Sequence, residues 1–239
     1  MEFVKPEHRA KANVLIYGPP KSGKTAGAAT APGGVLYLNC EGPNATRFAH
    51  SRTPDGRIME VKFEGLSTLH EIGAAVMQSP TWDTVVVDPV GDLYRRLMEE
   101  TSGRALRPTL PQYGDVGTHL ERFCRFMCEA PVNFVMVCHE LATKNEATGE
   151  IEVLPFTGTS NPTLGQKLMG MVDVVAYANV TETEHGTQYL AQLVNAKGRR
   201  GGDRFNVLGP WRTLDLAEWF ALAGVHTDDD SATTARKAA

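Results

Sequence analysis

Residues Gly18-Pro19-Pro20-Lys21-Ser22-Gly23-Lys24-Thr25 fit the pattern G-x-x-x-x-G-K-[ST] without a mismatch. Such a loop works only when a buried strand delivers it and a helix begins at its end, because its N–H groups and the helix amino terminus must converge on phosphate oxygens. Both neighbours are written in the chain. Residues 13–17 are an apolar run, and residues 24–31 are rich in alanine. Strand, loop and helix are therefore expected in that order. Gly18, Pro19, Pro20, Lys21, Ser22, Gly23, Lys24, Thr25 and Ala26 form the expected nucleotide-binding set. Lys24 is expected at the β and γ phosphates of ATP, and the Thr25 hydroxyl on Mg2+.

A magnesium ion held by phosphates and one hydroxyl also calls for a nearby carboxylate. Asp88 is the candidate, at the end of the β-branched run Thr84-Val85-Val86-Val87-Asp88; a helix cap is the alternative role for it. Pro89 follows where many ATPases carry a glutamate, so a general base must come from elsewhere. Glu41 ends the stretch Val35-Leu36-Tyr37-Leu38-Asn39-Cys40-Glu41 and could orient and deprotonate an attacking water, or could simply be a solvated loop acid.

The remaining chain alternates apolar strands with helical stripes. Strands are expected at 13–17, 35–39, 60–64, 84–88, 132–138, 172–178 and 187–194, and helices at 24–31, 66–79, 91–100, 115–129, 163–170 and 214–223. Residues 102–114 and the polar segment 140–163 read as loops, the second with a short hairpin arm at 151–154. Such alternation implies an α/β fold: a mostly parallel sheet covered by helices on both faces, with the late strands extending it. Ligands then bind at the carboxyl ends of strands, where Gly18, Glu41 and Asp88 stand.

Together, the phosphate loop, Glu41 after the second strand, Asp88 without a following glutamate, and a polar residue ending the strand 132–138 resemble the RecA-type P-loop ATPase core. More narrowly, the chain resembles small phage-encoded RecA-like ATPases that act with single-strand annealing in recombination. The resemblance spans about residues 12–222, with residues 1–12 as an amino-terminal extension and 225–239 as a polar tail. It implies that Glu41 is the catalytic base and that the polar residue after Cys138, here His139 where recombinases usually carry Gln, senses the γ-phosphate. It also implies assembly into a ring or filament. In such an assembly Lys197, Arg199 and Arg200, in a glycine-flanked turn, would complete a neighbour's site. Segments 102–114 and 140–163 fall where this family contacts DNA, with Arg104, Arg107, Lys144 and Phe156 offering charge and a stacking face. Single-stranded DNA and a single-strand-binding protein are the implied partners, and recombination or replication the implied setting.

Composition narrows the alternatives. A formal charge of −4 argues against indiscriminate DNA binding by the monomer surface, though not against a local basic channel. No apolar run approaches the ~20 residues of a membrane span, and Glu2 and Pro6 stand where a secretory signal would be basic and then apolar, so a cytoplasmic protein is expected. Cys40, Cys124, Cys128 and Cys138 lie in or beside apolar segments and are expected as buried thiols. Two other readings remain open: a nucleotide or small-molecule kinase, and an ATP-dependent assembly module that hydrolyses weakly.

Overall fold

The computed structural model describes residues 11–42, 44–47, 56–79, 81–103, 107–144, 146, 148–184 and 186–225. Arg104, most of the amino-terminal extension and residues 226–239 of the tail lie outside this set. At its two ends Ala12 and Val225 are buried in the core.

Within the described residues the chain forms β1 (Asn13–Gly18), α1 (Lys24–Ala28), β2 (Val35–Asn39), β3 (Ile58–Lys62), α2 (Leu66–Gln78), β4 (Thr84–Asp88), α3 (Val90–Ser102) and α4 (Leu110–Glu129). It continues with β5 (Asn133–Lys144), β6 (Ile151–Phe156), α5 (Thr163–Met171), β7 (Val174–Thr183), β8 (Gly186–Gln192), β9 (Gly202–Asp203), β10 (Trp211–Thr213) and α6 (Leu216–Leu222). The strands join one sheet in the order β10-β8-β7-β1-β5-β4-β2-β3, with β6 beside β5 and β9 beside β7. From β7 to β3 every pairing is parallel; β6, β8, β9 and β10 add antiparallel edges. β5 separates the loop-bearing β1 from β4, so its stretch around His139 lies between the phosphate loop and the strand that carries Asp88.

Successive residues of a strand face opposite ways, which explains the unbroken apolar runs of the central strands. Leu15, Tyr17, Leu36, Val85, Val87, Phe134 and Met136 pack on one face against α2, α3 and α4. Val14, Ile16, Val35, Tyr37, Val86, Val135 and Val137 pack on the other, where Ala28 of α1 and Leu216, Trp219 and Phe220 of α6 close the layer. All four cysteines are free thiols, and Cys40, Cys124 and Cys138 are buried. Among the described residues no helix is long and apolar enough to cross a membrane.

The structure departs from the sequence expectations in places where local signals compete. The loop expected at 102–114 ends early, because α4 starts at Leu110. Thr109 and Gln112 form a reciprocal capping box, with the Thr109 N–H donating to Gln112 Oε1 at 2.7 Å, and Gly114 and Gly117 are carried inside the helix. Within 140–163 the expected hairpin arm at 151–154 is present as β6, and it is longer than expected. β5 runs on to Lys144 and pairs antiparallel with β6 from His139↔Phe156 to Lys144↔Ile151, because backbone pairing satisfies polar residues as readily as apolar ones. The helix expected over 24–31 stops at Ala28, where the Thr30 hydroxyl donates to the Gly27 carbonyl at 2.6 Å. The strand expected at 60–64 lies two residues earlier, and the short strands β9 and β10 had no sequence signal.

Candidate functional site

The phosphate loop leaves β1 at Gly18 and enters α1 at Lys24. Two of its glycines are required by geometry. A β-carbon on Gly18 would lie 2.5 Å from the Ala178 carbonyl oxygen, and Gly23 holds φ at 84°, a left-handed conformation that suits glycine. Ser22 is buried and donates to the Pro19 carbonyl at 2.9 Å, closing the loop on itself.

The Lys24 ammonium is drawn into this loop, donating to the Gly18 carbonyl at 3.0 Å and the Pro19 carbonyl at 2.6 Å. Burial pulls its pKa below the usual lysine value, and the facing Asp88 carboxylate opposes that shift. Asp88 is itself buried. Its Oδ2 accepts from the Tyr37 hydroxyl at 2.5 Å, and the Thr25 hydroxyl stands close by in the same cavity. Desolvation pushes the Asp88 carboxyl above its ordinary value, while the Tyr37 hydroxyl and the Lys24 charge pull the other way. Thr25, on α1, and Asp88, ending β4, line the same cavity. A hydroxyl and a carboxylate brought to one cavity beside a buried ammonium are a donor set that fits Mg2+ with a phosphate chain.

A cavity of about 540 Å3 opens over this cluster. Lys21, Lys24, Thr25, Glu41, Asp88 and His139 line it together with Ala26, Gly27, Tyr189 and Leu214. Glu41 is exposed, and its loop is held by the Asn39 amide group, whose oxygen accepts from the Glu41 N–H at 3.1 Å. His139 ends up beside the loop because it stands in register with Gly18, and its Nδ1 is buried without a hydrogen-bond partner among the described residues. A second cavity of about 530 Å3, between α2 and α4, is mostly apolar and lies away from the phosphate loop.

The basic turn stands elsewhere. Lys197, Arg199 and Arg200 border a separate open cavity with Glu150 and Glu152. Arg200 pairs with Glu152 at 3.1 Å, and Arg199 lies 4.6 Å over the Tyr177 ring. The Tyr17 hydroxyl, on the strand that delivers the phosphate loop, accepts from the Arg200 N–H at 2.7 Å. Tyr177 in turn donates to Glu140 at 2.9 Å, next to His139. The turn is thus tied to the ends of β1 and β5 without reaching the nucleotide cavity of its own chain. Arg107 and Lys144 are exposed, and Phe156 is partly buried with one ring edge against Gly91.

Sequence reasoning missed Tyr37, Tyr189 and Leu214. Tyr37 reads as one more core residue of β2. Tyr189 and Leu214 come from strands and connections far along the chain, and a Gly23 β-carbon would meet the Tyr189 ring at 2.8 Å. The one available signal was an aromatic residue in the otherwise polar first half of β8, 46% exposed.

A protein-family model described as an AAA domain matches residues 10–205. No curated protein matches in sequence. Among solved structures, a KaiC-like protein from the hyperthermophilic archaeon Pyrococcus horikoshii OT3 is similar at 15% identity over 76% of this chain and 77% of that chain, with a TM-score of 0.42.

Proposed function

The chain belongs to the AAA-domain family matched over residues 10–205, and from that premise we propose that it is an Mg2+-dependent ATPase acting on single-stranded DNA in recombination or replication. One observation carries the ATPase reading: buried Lys24 and Asp88 and the part-exposed Thr25 line one cavity with Glu41 and His139. In this reading the Lys24 ammonium exchanges its loop carbonyls for phosphate oxygens. Thr25 and Asp88 hold Mg2+, which supplies charge neutralisation on the phosphates. Glu41, exposed at the mouth, takes a proton from water, and His139 donates to the terminal phosphate. The base lies against Tyr189 and Leu214. Base–aromatic stacking contributes about 1–3 kcal/mol, so Tyr189→Ala is expected to weaken nucleotide binding by about 5- to 150-fold in a fluorescence titration.

The DNA reading is supported by the basic turn. Lys197, Arg199 and Arg200 are anchored to the hairpin that starts at His139, so a change at the phosphate end has a short covalent and hydrogen-bonded route to them. Because they border a different cavity from Lys24, they suit a neighbouring subunit or a DNA backbone, in keeping with a ring or filament and with a single-strand-binding protein partner.

Steady-state ATP hydrolysis, measured with Mg2+ and with either single- or double-stranded DNA, tests both parts. Stimulation by single strands is expected. Glu41→Gln should lower turnover by about 10²–10⁴-fold, the usual contribution of a general base. Turnover indifferent to every DNA would remove the DNA reading and leave the ATPase. Full turnover in Glu41→Gln would remove the assignment of the base.

A further inference from the structure

Tyr37 is fully buried in β2, on the sheet face that packs against α1 and α6. Its strand neighbours on that face are Val35 and Asn39, and its register partner on β4 is Val86. A phenylalanine would fill this place with the same ring. Burying the extra hydroxyl is unfavourable unless a partner meets it, and the partner here is Asp88 Oδ2 at 2.5 Å. Tyr37 thereby joins β2 to β4, and Asp88 lines the same cavity as Thr25 of α1. None of the three residues is near the others in sequence.

We propose that Tyr37 is a positioning residue for the metal–nucleotide site: its hydroxyl fixes the Asp88 carboxylate so that Asp88 and Thr25 are pre-set to receive Mg2+ with the phosphates. The inference rests on the nucleotide reading above. A donor on one oxygen of a buried carboxylate restrains its rotation and leaves lone pairs that could meet a cation. The phenol is suited to this. Its ring is held by the core around it, so the hydroxyl reaches Oδ2 from a fixed direction. Outer partners of this kind typically change metal affinity by about 10–100-fold when removed.

The test is the Mg2+ dependence of nucleotide binding, read from the fluorescence of a mant-labelled ATP. Wild type, Tyr37→Phe, Asp88→Asn and the double variant are compared, with a melting curve for each. Tyr37→Phe is expected to raise the half-saturating Mg2+ concentration about 10-fold or more while leaving binding in EDTA unchanged. In the Asp88→Asn background the same substitution should add nothing. The double variant has no buried carboxylate left without a donor, so it serves the comparison if the single variant folds poorly. An unchanged Mg2+ requirement in folded Tyr37→Phe, or an equal increment with Asp88 removed, overturns the proposal and leaves the nucleotide reading intact. Failure of the wild type to bind the labelled ATP would overturn both.

Discussion

Lys24→Ala is expected to lower Mg2+–ATP turnover by about 10²–10³-fold, the loss seen when one preorganised donor to a developing charge is removed. The reason lies in where the ammonium sits. Lys24 is 6% exposed, and its hydrogen bonds go to the Gly18 and Pro19 carbonyls and the Ser22 hydroxyl, all within the loop itself. Beyond the loop, its charge acts on the buried Asp88 carboxylate. The substitution should therefore remove the positive charge at the phosphates while the melting curve stays close to that of the wild type. Coupled loss of turnover and of folding would mean that the lysine is structural. Retained turnover in a folded variant would show that the loop is not the catalytic phosphate site.

Trp219→Ala is expected to have the largest effect on stability. Trp219 is 1% exposed on α6, and its indole N–H donates to the Thr213 carbonyl at 2.9 Å. Truncating a buried tryptophan costs about 3–5 kcal/mol, from the lost transfer energy and the cavity left behind. In a domain of this size about 1 kcal/mol moves the midpoint by about 2–4 °C, so a fall of about 6–20 °C is expected in a calorimetric melt. The damage should reach the nucleotide cavity. The Leu216 N–H donates to the Thr30 hydroxyl beyond α1, and Leu214 lies against Gly27, where a β-carbon would come within 2.4 Å of it. Nucleotide binding measured below the melting range is therefore expected to weaken too. A midpoint shift below about 2 °C would show that α6 contributes little to the core.

The readable parts of this protein are those whose cause is local. A strand buried on both faces must be apolar throughout, which makes β1, β2, β4 and β5 visible as short β-branched runs. The loop between β1 and α1 needs glycine at Gly18 and Gly23 and a lysine and a hydroxyl at fixed offsets, so its spacing alone announces it. Asp88 was legible because a charged residue at the end of such a run is uncommon. α4 was misplaced at its start because Pro111, Gly114 and Gly117 are poor helix residues that the cap and the packing of Val116 and Leu120 override.

By itself, then, the sequence determined the phosphate loop, the α/β alternation and the carboxylates at strand ends, since each follows from the conformational and solvation needs of a few adjacent residues. Tertiary structure alone decided which strands lie side by side. That order places His139 in register with Gly18, brings Tyr37 to Asp88, sets Tyr189 and Leu214 as the apolar wall, and carries Lys197, Arg199 and Arg200 to a different cavity from Lys24. The physical reason is that pairing order depends on how the crossover helices cover the two faces of the whole sheet. No short stretch of chain carries that information.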